Sequence, residues 1–263
     1  MYISNSLVLT LQGIGINDNA GRLCYKNIVT SGVISATSEV VGFPITNAAN
    51  PATWAGWEAV DTAAQTITIE NPLRNNIDYL GIARHNLAQA GLTVQIKFDG
   101  VQVQAPQEVM DTQALLFLFE EATPEVVEIV IAGASNPAKL AVIYVGESTR
   151  LERNIYVGHT PINYGRDRNV INGVSQSGEW VGEVTLNETL STSVNLQNLT
   201  PTWYRETLDP FFKQNPRNPC FWAWRPGGYP TEVSYCWVEG NPRPVNQRAN
   251  GMMSIDWKFR GIA

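Results

Sequence analysis

The stretch Thr93-Val94-Gln95-Ile96-Lys97-Phe98-Asp99-Gly100-Val101-Gln102-Val103 decides the fold class. Its apolar residues fall at every second position, the period at which strand side chains alternate between two faces. Asp99-Gly100 then supplies two residues that tolerate positive φ, as a two-residue hairpin turn demands. The neighbouring segments repeat the pattern. Thr66-Ile67-Thr68-Ile69 alternates and stops at Asn71-Pro72, and Tyr79–Ala83 is a short apolar run of the kind found in a strand covered on both faces. Leu115–Phe119, Val126–Ile131 and Leu140–Val145 follow at spacings of about ten residues, with almost no helical periodicity. The chain therefore reads as mainly β, with a sandwich or jelly roll over residues 32–147.

Outward from this block, Val181–Leu190, Thr192–Leu196, Cys220–Trp224, Glu232–Val238 and Met252–Phe259 also read as strands. One helix is expected at about 200–214. Thr200 is the N-cap candidate, Pro201 fits the first turn, and Trp203, Leu208, Phe211 and Phe212 share a face before Asn215-Pro216. Residues 202–263 hold five of the eight tryptophans, on strand-like runs broken by Asn-Pro and Pro-Gly. Large rigid side chains on a turn-rich β scaffold suit a core or an interface. Residues 1–31 show little pattern beyond a possible strand at Leu7–Leu11 and a bend at Gly13-Ile14-Gly15, and read as an arm. Three parts are expected: this arm, a sandwich at 32–147 able to fold alone, and an aromatic-rich β-barrel or sandwich with one helix at 148–263.

Charge supports the same division. Residues 1–147 carry 6 Lys/Arg and 14 Asp/Glu, a net −8, whereas residues 148–263 carry 12 and 10, a net +2. Such asymmetry allows opposite-sign contacts between neighbouring copies. An overall charge of −6 and the lack of any nucleic-acid motif argue against a nucleic-acid partner. No apolar run approaches the roughly 18 residues of a membrane span, and the N-terminal residues lack a secretory pattern. Cys24, Cys220 and Cys236 form no C-x-x-C and are odd in number, so buried free thiols made in a reducing cytosol are expected.

Candidate chemistry is sparse. His85 and His159 are the only histidines, and neither has Cys/His partners at zinc-ligand spacing. No G-x-S-x-G elbow accompanies them. Glu179 and Glu183 could share a strand face, but about 13 Å of strand rise separates them, beyond the glycosidase range. Gly13-Ile14-Gly15 lacks the third glycine of a dinucleotide loop. No catalytic, metal or cofactor site is expected. Arg150, Arg153, Arg166 and Arg168 form a basic segment at the domain junction, read either as a solvated face or as an interface. Trp54 is expected to plug the sandwich and Trp57 to be the exposed one. Trp57, Arg84, His85 and Asn86 are then the candidate ligand loop. In Pro219–Pro230, residues 222 and 224 share one strand face and 221, 223 and 225 the other. Trp222 and Trp224 are expected in the core, with Phe221 and Arg225 at an interface between subunits.

Two resemblances follow from quoted segments. Asn50-Pro51-Ala52-Thr53-Trp54, the strand Gln65–Glu70, Ile77–Ile82 and His85-Asn86 resemble the discoidin (coagulation factor 5/8 type C) jelly roll over residues 32–147. The usual cysteine pair and an acidic calcium cluster are missing. That resemblance implies the sandwich fold and, as an alternative function, glycan binding at a host surface. Ile155–Pro161, Gly173–Glu179 and Pro219–Pro230 resemble structural proteins of tailed-bacteriophage tail tips and baseplates. This second resemblance implies a virion tail protein, made in the host bacterial cytoplasm. It would assemble with copies of itself in a ring and with other tail proteins, without catalysis or membrane insertion.

Overall fold

The computed structural model describes residues 1–4, 20–133, 135–155, 158–214, 219–247, 249 and 251–262. The expected strand at Leu7–Leu11, the bend at Gly13-Ile14-Gly15, and Asn215-Pro216 lie outside the described residues. The first strands are β1 (Tyr2–Ile3), β2 (Arg22–Cys24), β3 (Ile34–Ala36), β4 (Trp57–Glu58) and β5 (Gln65–Glu70). Next come β6 (Ile77–His85), β7 (Thr93–Phe98), β8 (Val101–Glu108), β9 (Leu115–Ala122) and β10 (Val126–Ala132). Then β11 (Lys139–Gly146), β12 (Thr149–Arg150), β13 (Arg166–Val174) and β14 (Trp180–Leu199) follow. The last are β15 (Cys220–Ala223), β16 (Val233–Glu239), β17 (Val245–Asn246) and β18 (Met253–Ile262).

Two five-stranded sheets, β1-β9-β6-β11-β4 and β3-β5-β10-β7-β8, face each other as the sandwich. The period-two pattern is the cause: Ile67 and Ile69, Val94 and Ile96, and Val127, Ile129 and Ile131 all enter one core. The β7–β8 hairpin turns as its sequence requires, with Asp99 at φ 48° and Gly100 at φ 80°. The Asp99 carboxylate also accepts the backbone N–H groups of Glu125 and Val126, which ties this turn to β10.

The third sheet runs β12-β2-β15-β16-β18-β14-β13, with β17 beside β18. Segments expected as separate strands at 181–190 and 192–196 are one strand, β14, of 20 residues. The expected arm is divided. β1 pairs in parallel with β9 of the sandwich, whereas β2 pairs with β15 and β12 of the third sheet. One face of that sheet packs Trp222, Trp257 and Phe259 against Tyr204, Leu208 and Phe211 of the helix.

The helix at Pro201–Gln214 is interrupted. α1 (Pro201–Trp203) and α2 (Asp209–Gln214) flank a wider π turn at Tyr204–Leu208, where the Asp209 N–H reaches the Tyr204 carbonyl. Pro210 explains the widening. It has no N–H to donate, and its ring would collide with the carbonyl four residues back in a regular helix. Thr200 makes no side-chain cap. Instead its backbone N–H donates to Glu152.

The opposite face of the third sheet meets the outer face of β6, β9 and β11. Tyr79, Ala83, Leu116, Leu118, Ala141, Val142 and Tyr144 from the sandwich form one cluster with Cys24, Phe221, Ala223, Val233 and Tyr235. This contact explains why Tyr79–Ala83 is apolar throughout: both of its faces are covered. Phe221 lies 4.9 Å from the Tyr235 ring and 5.7 Å from that of Tyr144. A Cβ on Gly81 would come within 2.6 Å of the Phe221 ring, so glycine is required there. Polar ties close the rim. Arg22 in β2 pairs with Asp78 in β6 at 3.2 Å and donates to Ser148 at 2.9 Å. Burial raises the Asp78 carboxyl pKa despite its bonds from Ser148 and the Arg22 charge.

Cys24, Cys220 and Cys236 are buried free thiols. Burial pushes Cys24 and Cys236 well above the ordinary thiol range, which keeps them protonated and unreactive.

Candidate functional site

A partly enclosed cleft lies where the sandwich meets the third sheet. It begins with a break in β6. Leu80 and Ile82 face the sandwich core, while Tyr79 and Ala83 face the third sheet. Arg84 would by parity enter the core beside Ile82, where an unpaired guanidinium is prohibitively costly. Its backbone instead turns left-handed, at φ 54°, and the side chain is exposed. Such a conformation is strained for a bulky residue.

Arg84 lies at the junction of two depressions. The first is a cavity of about 140 Å³. Ala83, Ala114, Leu190, Val233 and Ile262 give it an apolar lining to which Gln113, Asn163, Arg166 and Glu188 add polar groups, while the Ser234 side chain lies on the other face of the third sheet beside Trp222. The second is a polar groove formed by Arg84, His85, Asn86, Gln89, Thr112 and Lys139. Asn163 donates from Nδ2 to Gln113 Oε1 at 2.7 Å, but its buried Oδ1 has no hydrogen-bond partner. Ser234, 2% exposed, likewise has an unpartnered Oγ. Glu188 is engaged by Arg168 at 2.5 Å and Arg166 at 3.8 Å.

The expected ligand loop does not form as a unit. Trp57 is 1% exposed and its indole N–H donates to the Ser38 carbonyl, whereas Trp54 is 86% exposed. The expected roles of the two tryptophans are therefore reversed. Trp57 lies on β4 opposite Leu140 of β11, and that register turns it inward. Asn86 is a strut: Nδ2 donates to the Pro137 carbonyl and Oδ1 accepts the Lys139 N–H. His85 is buried, with Nε2 2.8 Å from the Gln113 carbonyl. Of the four, Arg84 alone presents a charged group to solvent.

The Gln113 carbonyl can only accept, so the His85 proton sits on Nε2 and Nδ1 is a buried acceptor without a donor. In His159 the roles swap: Nδ1 donates to the Ser193 carbonyl at 2.9 Å and Nε2 is unpartnered. Burial lowers both pKa values below the ordinary 6.5, against the raising effects of those backbone bonds and of Asp111 or Glu232. A lowered folded pKa means that the unfolded chain binds more protons below pH 6.5. Stability from these groups is complete above the unfolded value and is lost as pH falls through the folded one. The thermal midpoint is expected to drop between pH 7 and 5, and His85→Gln/His159→Gln to flatten that slope in melts followed by circular dichroism.

The arginine candidates separate. Arg150 and Arg153 line a groove with Lys26, Glu147 and Trp203, whereas Arg166 and Arg168 stand on β13. Phe221 is wholly buried against the sandwich of its own chain, which excludes it as a contact between subunits. The expected two-faced strand is present, but the partner across its second face is intramolecular. Arg225 is half-buried, 5.5 Å over the Trp224 ring, and Trp224 stacks on Tyr229. Trp222 is in the core, while Trp224 is only half-buried.

The sequence reading overlooked the β13–β14 hairpin. Ile171, Val174, Trp180, Val181, Val184 and Leu186 are each more than half exposed on it. Among the described residues, β13 pairs with β14 alone, and the part of β14 before Thr189 has β13 as its sole partner strand. The available signal was Val181–Leu190 itself, whose length exceeds what the remaining sheet can cover. Among the described residues, no group of three or more His, Cys, Asp or Glu could hold a metal ion, and no helix is long and apolar enough to cross a membrane.

No protein-family profile matches the chain, and no curated protein matches it. Among solved structures, it is similar to chitosan-binding module 1 of a chitosanase/glucanase from Paenibacillus sp. IK-5. That pair shares 16% identity over 46% of this chain and 98% of the module, with a TM-score of 0.36. A pectin-binding carbohydrate-binding module shows 15% identity over 46% and 90%, with a TM-score of 0.38. The family 32 carbohydrate-binding module of C. perfringens NanJ, solved with galactose, shows 15% over 47% and 98%, with a TM-score of 0.37. Each of these likenesses spans less than half of the chain.

Proposed function

We propose that this chain is a non-catalytic assembly subunit that builds a symmetric homo-oligomer through the β13–β14 hairpin. The observation that carries the reading is the hairpin's six exposed apolar side chains. An isolated two-stranded ribbon is marginal in water, and an uncovered edge strand invites pairing with another chain. A second copy suits it as occupant. The hairpin, residues 166–188, holds Arg166 and Arg168 against Asp167, Glu179, Glu183 and Glu188, so its exposed apolar side chains and open strand edge, and not its charge, are what a neighbouring copy would cover. A head-to-tail contact of this kind builds a ring where its rotation closes and a filament where it does not. The virion setting, a phage tail tip or baseplate, rests on the sequence resemblance alone. One of its segments, Gly173–Glu179, forms the hairpin tip.

Native mass spectrometry of the full chain tests this. The wild type is expected as one defined multimer. Ile171→Asp/Val184→Asp sets two carboxylates at one cross-strand pair and should be monomeric, with its strand content by circular dichroism retained and its melting temperature lowered by the loss of assembly. A monomeric wild type, or a double variant that still assembles, overturns the reading.

A second reading is saccharide binding by the sandwich. It is favoured by the polar groove that Arg84, His85, Asn86, Gln89, Thr112 and Lys139 form on the sandwich. A glycan array probed with wild-type protein tests it.

A further inference from the structure

We propose that β13 makes a two-fold contact: its open edge pairs antiparallel with β13 of a second copy, and two hairpins become one four-stranded sheet. The inference rests on the assembly reading and names the element that the hairpin meets. Among the described residues, the part of the hairpin before Thr189 has no third strand. A two-stranded ribbon is marginal in water, and three or more strands are needed for stability of its own. Pairing with the same ribbon of a second copy supplies them.

The edges of the three sheets single out this strand. Among the described residues, the outermost strands are β1, β4, β3, β8, β12 and β13, with β17 beside β18. β1, β4, β12 and β17 hold two residues each and β3 three, too few to hold a partner strand. β8 has eight, but its Pro106 has no N–H to offer. The outer edge of β14 is broken twice before Thr189. Val181 and Leu186 are extra residues opposite β13, and such bulges blunt an edge. β13 runs for nine residues, Arg166–Val174, with neither a proline nor an extra residue. In a homo-oligomer the edge that matches it is another β13. Pairing over its whole length puts Val170 on the two-fold axis. Arg166 then faces Val174 of the second copy and Arg168 faces Asn172, so no like charges are opposed. A register centred on Asp167 would instead set Arg166 against Arg168. Side chains above and below the ribbon stay available for the head-to-tail contact, and the two contacts together generate paired rings or paired filaments.

The test is an exchange of charge at residue 170 of the full chain. Val170→Lys or Val170→Glu alone sets two like charges face to face on the axis, and native mass spectrometry should record half of the wild-type mass. An equimolar mixture of the two variants should recover the full mass as mixed pairs, with circular dichroism matching the wild type throughout. Val170→Cys gives a direct readout. Directly opposed strand residues lie about 4.5–5.5 Å apart at Cα, within disulfide reach, so oxidation with copper phenanthroline should link two chains on a non-reducing gel. Cys24, Cys220 and Cys236 are buried free thiols and leave that reaction to the new cysteine. Val174→Cys is the control, since its two copies would stand roughly 26 Å apart across the axis and should not link. A wild-type multimer in which Val170→Lys keeps the full mass and Val170→Cys stays unlinked overturns the edge contact and leaves assembly through the apolar side chains standing. Linking at 174 as readily as at 170 overturns the two-fold register. A monomeric wild type defeats both readings.

Discussion

Phe221→Ala is expected to destabilise the protein by about 3–5 kcal/mol, the range for truncating a large core aromatic. The side chain is fully buried, meeting the Tyr144 ring across the contact between the two β units and the Tyr235 ring on the neighbouring strand of its own sheet. Its ring also lies over Gly81 so closely that a Cβ there would overlap it. Removing it opens a void that the flanking sheets cannot close, because each is fixed by its own strand pairing. Chemical denaturation should show a lower midpoint, and limited proteolysis should cut near the junction. Arg225→Ala is the matched control. It removes a half-buried cation stacked on Trp224, so its effect on the same melt should be about 1 kcal/mol or less. A Phe221→Ala protein with wild-type stability would mean that the two units do not share this core.

The fragment 32–147, excised, is expected to aggregate or to bind hydrophobic dyes instead of folding as a clean monomer. It retains the interior of the sandwich but exposes the outer face that the third sheet covers. Tyr79, Leu116, Leu118, Val142 and Tyr144 on that face are all nearly inaccessible in the whole chain. Each large apolar side chain gains about 1.5–3 kcal/mol from burial. The five together approach the roughly 5–15 kcal/mol stability of a typical domain. The excision also removes β1, which extends the β9 edge, and Val29, which packs in the sandwich core. Size-exclusion chromatography and dye binding decide the matter. A monomeric fragment that melts cooperatively would restore the simple expectation of an independent sandwich.

These two results bear on how the molecule would work. If assembly acts through the β13–β14 hairpin, the force on the hairpin passes into β14 and β18, and from there through the aromatic contact into the sandwich. The buried Arg22–Asp78 pair and the Tyr235 hydroxyl, which donates to the Pro51 carbonyl at 2.7 Å, reinforce that path. The two units would then behave as one rigid body, and anything bound in the cleft between them would feel their relative position.

Local pattern alone determined most of the strands. Alternation in Thr93–Phe98 and the Asp99-Gly100 turn specify a hairpin because side-chain parity and positive φ are properties of adjacent residues. The helix at 200–214 was likewise legible, although its π turn at Tyr204–Leu208 depends on how Pro210 is accommodated. Parity also divided Trp222 from Phe221 correctly. What parity cannot say is which body covers each face, and Phe221 meets the sandwich of its own chain instead of a neighbour. The same gap exchanged Trp54 and Trp57, since three residues apart in a loop carry no fixed facing until β4 pairs with β11. Arg84 shows the limit most plainly. The sequence reading set it on a loop after the Tyr79–Ala83 run, whereas it stands inside β6, where a left-handed backbone turns its side chain out of the apolar core. The cleft itself joins residues 84, 113, 163 and 233, and such separations leave no trace in local periodicity, because they are set by packing between sheets.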